Sequence, residues 1–301
     1  MNEPLSHSYL AVAVDALARV AEAVTGLPLG GEVRGVFDQQ TQLGFGSYSL
    51  TGEDGRAVVE AALDAGYRHL DTARLYGNES EVGDAIDAAA VDREDVFLAT
   101  KVAHFEEAEK TAEYVRTAVE ESFDRLGVDR IDLLYHHWPR NREDVETVLP
   151  VLAEYVDDGA VGNLGVSNYT VDDLELARDL VDVPIAADQV EMHPLLPQTE
   201  LRARLADAET ELVAYSPLAQ SEVFEVDAIR AVAEKHGVSE PVVSLAWLME
   251  KGAAPIPRTS SVDHLHDNRR ALDLDLDAED VERIDAVERR HRCEDPDWMN
   301  C

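Results

Sequence analysis

The sequence has few cysteines, few lysines and no long apolar run. Its 301 residues include two cysteines, Cys293 and Cys301, both near the end of the chain. This arrangement provides no disulfide framework, so we expect a protein of a reducing compartment and the cytoplasm as its location. No stretch of about 18 apolar residues occurs, which excludes a transmembrane helix. The first residues also lack the cationic, then apolar, pattern of a secretory signal.

Positive charge is scarce as well. Lysine and arginine together number 26 against 62 aspartates and glutamates, which gives a formal net charge of −36. The electrostatic field of this negative charge repels phosphate groups, so we expect neither nucleic acid nor an anionic membrane as a partner. The acids are dispersed over most of the candidate helices rather than gathered in a tail. This pattern is typical of halophilic proteins, whose self-repulsion is screened at molar salt, where the Debye length is about 3 Å.

From Gln42 onward, short apolar runs alternate with longer amphipathic segments. The runs that we predict as strands are Leu43–Tyr48, Arg68–Thr72, Val96–Val102, Ile131–His137, Val161–Val166, Ala186–Glu191, Glu211–Ser216 and Ala254–Pro257. The predicted helices between them include Gly55–Ala65, Glu79–Ala90, Lys110–Leu126, Thr147–Asp157, Val171–Leu180 and Thr199–Ala208. Eight such repeats predict an α/β protein with a (β/α)₈ TIM barrel over residues 42–301.

Two segments lie outside the eight repeats. Glu279–Arg290 has the pattern of an extra C-terminal helix. Residues 1–41 form an N-terminal extension in which Tyr9–Val24 is a candidate amphipathic helix. The extension could pack on the barrel, be flexible, or be an upstream stretch included through a wrong start codon. No motif in it suggests chemistry.

Polar residues cluster at the carboxyl ends of the predicted strands, where TIM-barrel enzymes place their active sites. They are Asp71, Lys101, His137, Ser167, Asn168, Gln189, Tyr215, Ser216 and Arg258. Because chance would scatter polar residues over both ends, this distribution indicates an enzyme.

Tyr76 follows Asp71 by five residues and could act as a proton donor. A tyrosine with its ordinary pKa of about 10 is a poor acid at neutral pH, and an ammonium from Lys101 would lower that pKa. Asp71 would hold Lys101 charged, and a neutral His137 could donate a hydrogen bond to a carbonyl oxygen. Each residue also has an ordinary alternative: a strand-end cap, a loop aromatic, a solvated lysine or a core histidine.

The stretch from Gly66 to Glu79, GYRHLDTARLYGNE, resembles the first signature of the aldo-keto reductase family. The resemblance runs from Gln42 to the tail and is strongest to short prokaryotic members of the haloarchaeal, diketogluconate-reductase-like type. Further matching segments are LGFGSY at 43–48, TKV at 100–102, HWP at 137–139, GVSNY at 165–169, QVEMHP at 189–194 and YSPLA at 215–219.

The resemblance implies that Tyr76 is the proton donor, that Lys101 and Asp71 tune it, and that His137 orients the carbonyl. His136 is the neighbouring candidate, but strand alternation sends it to the opposite face.

The resemblance also implies a nicotinamide cofactor, NADPH, with NADH possible. For the nicotinamide end, the expected contacts are Ser167, Asn168 and Gln189 on the carboxamide and Tyr215 on the ring. Ser216 and Leu218 are expected near the pyrophosphate. The residues expected around the adenosine phosphate are Arg258, Thr259, His264, Asp267 and Asn268. Tyr48 and Trp138 match pocket aromatics. His264 stands where the family usually has an arginine, and Ala160 and Gly162 replace positions that are often basic.

We therefore expect a monomeric reductase of an aldehyde, ketone or keto-sugar, with this small-molecule carbonyl as its partner. No glycine-rich Rossmann fingerprint and no zinc pattern occurs, so no metal is expected. The alternatives are a cofactor-sensing regulatory subunit and a cofactor-free barrel isomerase or lyase.

Overall fold

The computed structural model describes residues 36–104 and 111–294, and eight parallel strands organise them. Each strand pairs with the next one along the chain. The strands are β1 Phe45–Gly46, β2 His69–Asp71, β3 Phe97–Val102, β4 Ile131–His136, β5 Val161–Ser167, β6 Ile185–Glu191, β7 Glu211–Tyr215 and β8 Ala253–Pro255. All eight strands are present where the sequence predicts them, although several are shorter than predicted, β1 and β2 most of all.

Backbone hydrogen bonds between the first and last strands close the barrel. The amide of Gly44 donates to the carbonyl of Pro255 at 2.9 Å, and that of Gly46 donates to Pro257 at 3.1 Å. A Cβ at Gly46 would lie 2.9 Å from the carbonyl oxygen of Ile256, so a side chain there would push the two strands apart. Glycine therefore permits the closure, and the predicted (β/α)₈ fold is confirmed.

Helices follow the strands and cover the outside of the barrel. They are α1 Gly52–Asp64, α2 Glu79–Ala88, α3 Ala112–Leu126, α4 Arg142–Asp157, α5 Val171–Leu180, α6 Thr199–Asp207, α7 Asp227–His236, α8 Glu240–Glu250, α9 Val262–Arg269 and α10 Ala278–Asp285. Helix α4 begins five residues before its predicted start because the Asn141 side chain caps it, accepting from the amide of Asp144. The extra C-terminal helix α10 is present, and it ends at Asp285 rather than at Arg290.

Alanines, branched aliphatic side chains and one tyrosine fill the barrel interior. The buried cluster consists of Ala99, Leu133, Tyr135, Ala187, Val213, Ala254 and Ile256. At the amino-terminal end of the strands, Phe37 stacks on His69 with 4.9 Å between ring centroids and contacts Phe97 at 5.1 Å. Packing at this end of a TIM barrel serves stability, whereas the opposite end carries the active site.

The predicted helix Tyr9–Val24 lies outside the described residues, and so does Lys110 at the predicted start of α3. The domain boundary after residue 41 stays a prediction. Among the helices of the described ranges, none combines the length and the apolar character that crossing a membrane requires.

Two deletions test the role of the extension. Removal of residues 1–35 should leave activity and the thermal midpoint unchanged, because the family-like motifs begin at Gln42. Removal of residues 1–38 should lower the free energy of unfolding by about 1 kcal/mol or more, because it also removes the Phe37 ring contacts. Thermal denaturation of both variants measures this. Loss of folding in the shorter deletion would show that the extension packs on the barrel.

Candidate active site

A cavity of about 830 Å³ opens at the carboxyl ends of the strands. Twelve of the predicted site residues line it: Tyr48, Asp71, Tyr76, His137, Trp138, Ser167, Asn168, Gln189, Tyr215, Ser216, Leu218 and Arg258. Its position and polar lining make it the candidate active site of a TIM-barrel enzyme.

A buried ion pair lies next to this cavity, with Asp71 among the lining residues and Lys101 bonded to it. Nζ of Lys101 donates to Oδ1 of Asp71 at 2.5 Å, and the two side chains are 1% and 2% exposed. Lys101 also donates to the carbonyl of Thr72 at 2.8 Å, and the amide of Gln189 donates to Oδ2 of Asp71 at 2.8 Å. Burial acts to lower the pKa of Lys101, but the Asp71 carboxylate and Tyr76 outweigh it and raise that pKa. Lys101 is therefore a fixed ammonium ion at neutral pH.

Tyr76 reaches this ammonium from the turn that follows β2. The short helical turn Arg74–Tyr76 ends at Gly77, whose positive φ of 65° reverses the chain. Nζ of Lys101 lies 5.1 Å from the centroid of the Tyr76 ring.

The pKa of Tyr76 differs from the sequence-based expectation. Burial raises it, Lys101 lowers it and Asp71 raises it again, with a net increase. Lys101 acts on the pKa of Tyr76 in the expected direction, but burial disfavours the phenolate and the Asp71 carboxylate offsets part of the ammonium field, so the net shift is upward. The hydroxyl is consequently protonated at neutral pH and is available as a donor.

The signature residues after Tyr76 anchor its loop. The buried Asn78 amide donates to the carbonyls of Ser47 and Leu50, at 2.7 and 2.8 Å, and so ties this loop to the one after β1. The carboxylate of Glu79, which is fully buried, accepts from Arg125 at 2.8 Å. These contacts hold Tyr76 in place and give Asn78 and Glu79 a structural role.

His137 lies across the cavity from the tyrosine, with 5.8 Å between the ring centroids of His137 and Tyr76. Burial lowers the pKa of His137 well below its ordinary value, and Lys101 and His104 lower it further. The imidazole is therefore neutral and can donate a hydrogen bond. His136 points away from the cavity, and its Nδ1 lies 2.7 Å from the hydroxyl of Tyr169.

A chain of side-chain hydrogen bonds forms the wall at β5, β6 and β7. The hydroxyl of Tyr215 donates to Oδ1 of Asn168 at 2.9 Å, and the Asn168 amide donates to Oγ of Ser167 at 3.1 Å. Ser167 in turn donates to the carbonyl of Gln189 at 2.8 Å. The network fixes the Tyr215 ring at the edge of the cavity.

The loop after β7 has an unusual backbone. Four of its residues have positive φ angles without being glycine: Ser216 at 47°, Ala219 at 47°, Gln220 at 51° and Ser221 at 82°. Left-handed residues are costly and concentrate at ligand sites, and successive amides in such conformations form concavities that bind anions. This loop is suited to hold a pyrophosphate.

The residues predicted around the adenosine phosphate are only partly brought together. Thr259 Oγ1 and His264 Nδ1 lie 3.4 Å apart at the start of α9. The guanidinium of Arg258 donates instead to the carbonyl of Tyr48 and to the hydroxyl of Ser49, at 3.1 and 2.9 Å. The remaining two predicted residues, Asp267 and Asn268, lie further along α9. Of the predicted site residues, Lys101, Thr259, His264, Asp267 and Asn268 do not line the cavity.

The cavity lining also includes residues that are absent from the predicted site, among them Leu75, His104 and Glu294. His104 follows β3 by two residues, and its ring centroid is 4.6 Å from that of His137. The sequence signal that could have identified His104 as a cavity residue is its position just after a predicted strand. Glu294 lies in the C-terminal segment, where no sequence pattern indicates a pocket. Burial and then Glu191 raise the pKa of its carboxyl group.

Comparison with known proteins agrees with this geometry. A model of the aldo/keto reductase family matches residues 42–289. The chain belongs to the aldo/keto reductase family. The predicted family and its reaction, carbonyl reduction with a nicotinamide cofactor, are thereby confirmed.

Individual relatives cover most of this aldo/keto reductase. It is 38% identical to 2,5-diketo-D-gluconic acid reductase B of Corynebacterium sp. strain SHS752001, over 82% of this chain and 88% of that protein. It is 33% identical to glyoxal reductase of Bacillus subtilis strain 168, over 83% of this chain and 89% of that protein. The crystal structure of the aldo-keto reductase MGS-M4, from a Medee basin deep-sea metagenome library, has a TM-score of 0.81 at 30% identity and covers 84% and 93% of the two chains.

Removal of one partner tests the buried ion pair. Lys101→Met should lower the free energy of unfolding by roughly 3–5 kcal/mol, because it leaves the Asp71 carboxylate buried without its cation. The double variant Lys101→Met/Asp71→Asn should recover part of this loss. Chemical denaturation of the three proteins measures both effects. A double variant no more stable than the single one would contradict this description of the pair.

Proposed function

We propose that this aldo/keto reductase is an NADPH-preferring enzyme that reduces a small aldehyde, ketone or keto-sugar, with Tyr76 as its proton donor. The observation that carries the proposal is the placement of Tyr76, which shares the cavity with His137, at 5.8 Å between ring centroids, and is backed by the Lys101–Asp71 pair. This is the set of groups that carbonyl reduction needs beside a hydride source.

The residues present fit a nicotinamide dinucleotide. Tyr215 presents a fixed aromatic ring, Ser167 and Asn168 present hydrogen-bonding groups beside it, and the loop at 216–221 is shaped to bind an anion. These groups would hold the carboxamide end and the pyrophosphate. When it is bound, the cofactor supplies the hydride.

The protein's own groups would then complete the reduction. His137 would donate a hydrogen bond to the carbonyl oxygen and orient it. Tyr76 would deliver a proton to the same oxygen as negative charge develops there. Lys101 would stabilise the phenolate that remains, and Asp71 would keep Lys101 charged and in place. Asp71 and Lys101 therefore act through Tyr76.

The cavity and the relatives support a small, polar carbonyl as the substrate class. Tyr48, Leu75 and Trp138 form its outer wall, and Tyr48 is 63% exposed. The relatives named for glyoxal and for 2,5-diketo-D-gluconic acid both act on compounds with neighbouring oxygen groups. Specificity within this class would rest on the outer wall.

We further propose that the protein is a cytoplasmic monomer adapted to high salt. The net charge of −36 supports the monomeric state and the adaptation to salt, since it would oppose compact folding in dilute solution and repel a second copy of the chain.

Replacement of Tyr76 tests the proton donor. Tyr76→Phe should reduce kcat by roughly 10²–10⁴-fold, because it removes the acid while keeping the ring. Binding of NADPH, followed by fluorescence titration, should stay unchanged. A variant that retains kcat within about threefold of the parent would show that another group protonates the oxygen.

His264 offers a test of cofactor choice. An arginine is always charged and matches a phosphate group with two hydrogen bonds, which a histidine cannot do. His264→Arg should therefore increase the preference for NADPH over NADH. The ratio of kcat/KM for the two cofactors, measured in parent and variant, tests this. Identical ratios in the two proteins would remove His264 from the phosphate site.

Salt dependence tests the proposed adaptation. The thermal midpoint should rise from dilute buffer to molar KCl, because salt screens repulsion among the carboxylates. Circular dichroism at several KCl concentrations measures it. A flat or falling trend would refute the halophilic character.

A further inference from the structure

Two short segments that are far apart in sequence meet beside the active-site cavity. Glu191 ends β6 and His193 follows it by two residues. In the C-terminal segment, His291 and Cys293 have the same spacing. The amide of His291 donates to the carbonyl of Leu195 at 3.2 Å, so the two segments are tied together at the backbone.

The meeting point is a compact set of metal-binding groups. The side chains of Glu191 and His193 are 1% and 0% exposed, and Oε1 of Glu191 lies 2.9 Å from Nε2 of His193. The amides of Cys293 and Glu294 donate to the Glu191 carboxylate at 2.6 and 2.8 Å. Glu191, His193 and Cys293 each offer one ligand atom, and these three atoms lie within 4.8 Å of one another.

His193 faces this cluster with Nε2, the atom that lies against Oε1 of Glu191. Nδ1 is on the far side of the same ring, where it is buried and has no hydrogen-bond partner within residues 36–104 and 111–294. The ring of His291 lies beside that of His193, with 6.3 Å between the two centroids. An ion in the cluster would take the place of the proton on Nε2, and Nδ1 would then carry the proton, as the second nitrogen of a ligating histidine does.

We propose that Glu191, His193 and Cys293 form a binding site for a borderline or soft divalent cation of the Zn²⁺ class. A thiolate, an imidazole and a carboxylate are the ligands that Zn²⁺ takes, and Mg²⁺ or Ca²⁺ would prefer oxygen ligands alone. Three protein ligands leave the fourth tetrahedral position to water or to His291. Binding displaces the thiol proton of Cys293, which passes to the solvent.

Such an ion would join the C-terminal segment to the end of β6. Glu294, the residue after Cys293, lines the cavity, and Glu191 lies two residues after Gln189 on the same strand. The ion would therefore stabilise one wall of the cavity, and it would raise the thermal midpoint at concentrations above its Kd. The site does not depend on the proposed cofactor preference or on Tyr76.

Cobalt spectroscopy on the purified full-length protein tests the site, because Co²⁺ replaces Zn²⁺ and is coloured. The parent for this experiment is Cys301→Ser, in which Cys293 is the remaining thiol. At mildly alkaline pH and with excess MgCl₂ to occupy surface carboxylates, we expect one Co²⁺ per chain. We also expect a thiolate-to-cobalt charge-transfer band and visible bands of tetrahedral intensity, all abolished by one equivalent of Zn²⁺.

The matched control is Cys293→Ser in the same background, which should lose the charge-transfer band and bind Co²⁺ at least tenfold more weakly. Circular dichroism confirms that this variant is folded. A second variant, His291→Gln, tests the fourth ligand: its visible bands shift if that ligand is the imidazole of His291. A parent without the charge-transfer band, or a Cys293→Ser variant with the same affinity, would overturn the proposal. Either result leaves the carbonyl reductase assignment intact, since no activity is read.

Discussion

The buried ion pair between Asp71 and Lys101 is the interaction on which the active site depends. Two opposite charges that are almost completely shielded from water are tolerable only when they satisfy each other and their remaining hydrogen bonds. Asp71 meets this condition with Lys101 on one oxygen and Gln189 on the other. The pair therefore joins strands β2, β3 and β6 across the top of the barrel, and it sets the field that Tyr76 experiences.

The electrostatics of this arrangement suit a proton donor that must remain protonated until the reaction occurs. Burial and Asp71 raise the pKa of Tyr76, while Lys101 lowers it. Lys101 thus stabilises a phenolate without producing one in the resting protein. His137 is kept neutral by burial and by the same ammonium, which preserves its ability to donate a hydrogen bond. One lysine consequently influences both groups that would contact the carbonyl oxygen.

Much of the fold was predictable from the sequence because its signals are local. Apolar runs separated by amphipathic segments predicted the eight strands. The common location of Asp71, His137 and Gln189 was predictable as well, because the carboxyl ends of the strands in a barrel lie together. Helix boundaries were less accurate, since the cap at Asn141 and the end of α10 at Asp285 depend on single side-chain contacts.

Features that depend on three-dimensional burial were not predictable in this way. The net direction of the Tyr76 pKa shift follows from the balance of burial, Lys101 and Asp71, which no sequence pattern reports. The same holds for the cluster of Glu191, His193 and Cys293, because about a hundred residues separate its two segments. The sequence showed no zinc spacing, and only the fold brings these side chains together.

The most direct test of the account is carbonyl-dependent oxidation of NADPH by the purified protein in molar KCl. A panel of small aldehydes, ketones and keto-sugars should include compounds that cause steady loss of NADPH absorbance, with the corresponding alcohol as product. A regulatory subunit would bind NADPH without turnover, and a barrel isomerase or lyase would convert its substrate without consuming NADPH. Turnover of the panel without any oxidation of NADPH or NADH would contradict the central claim.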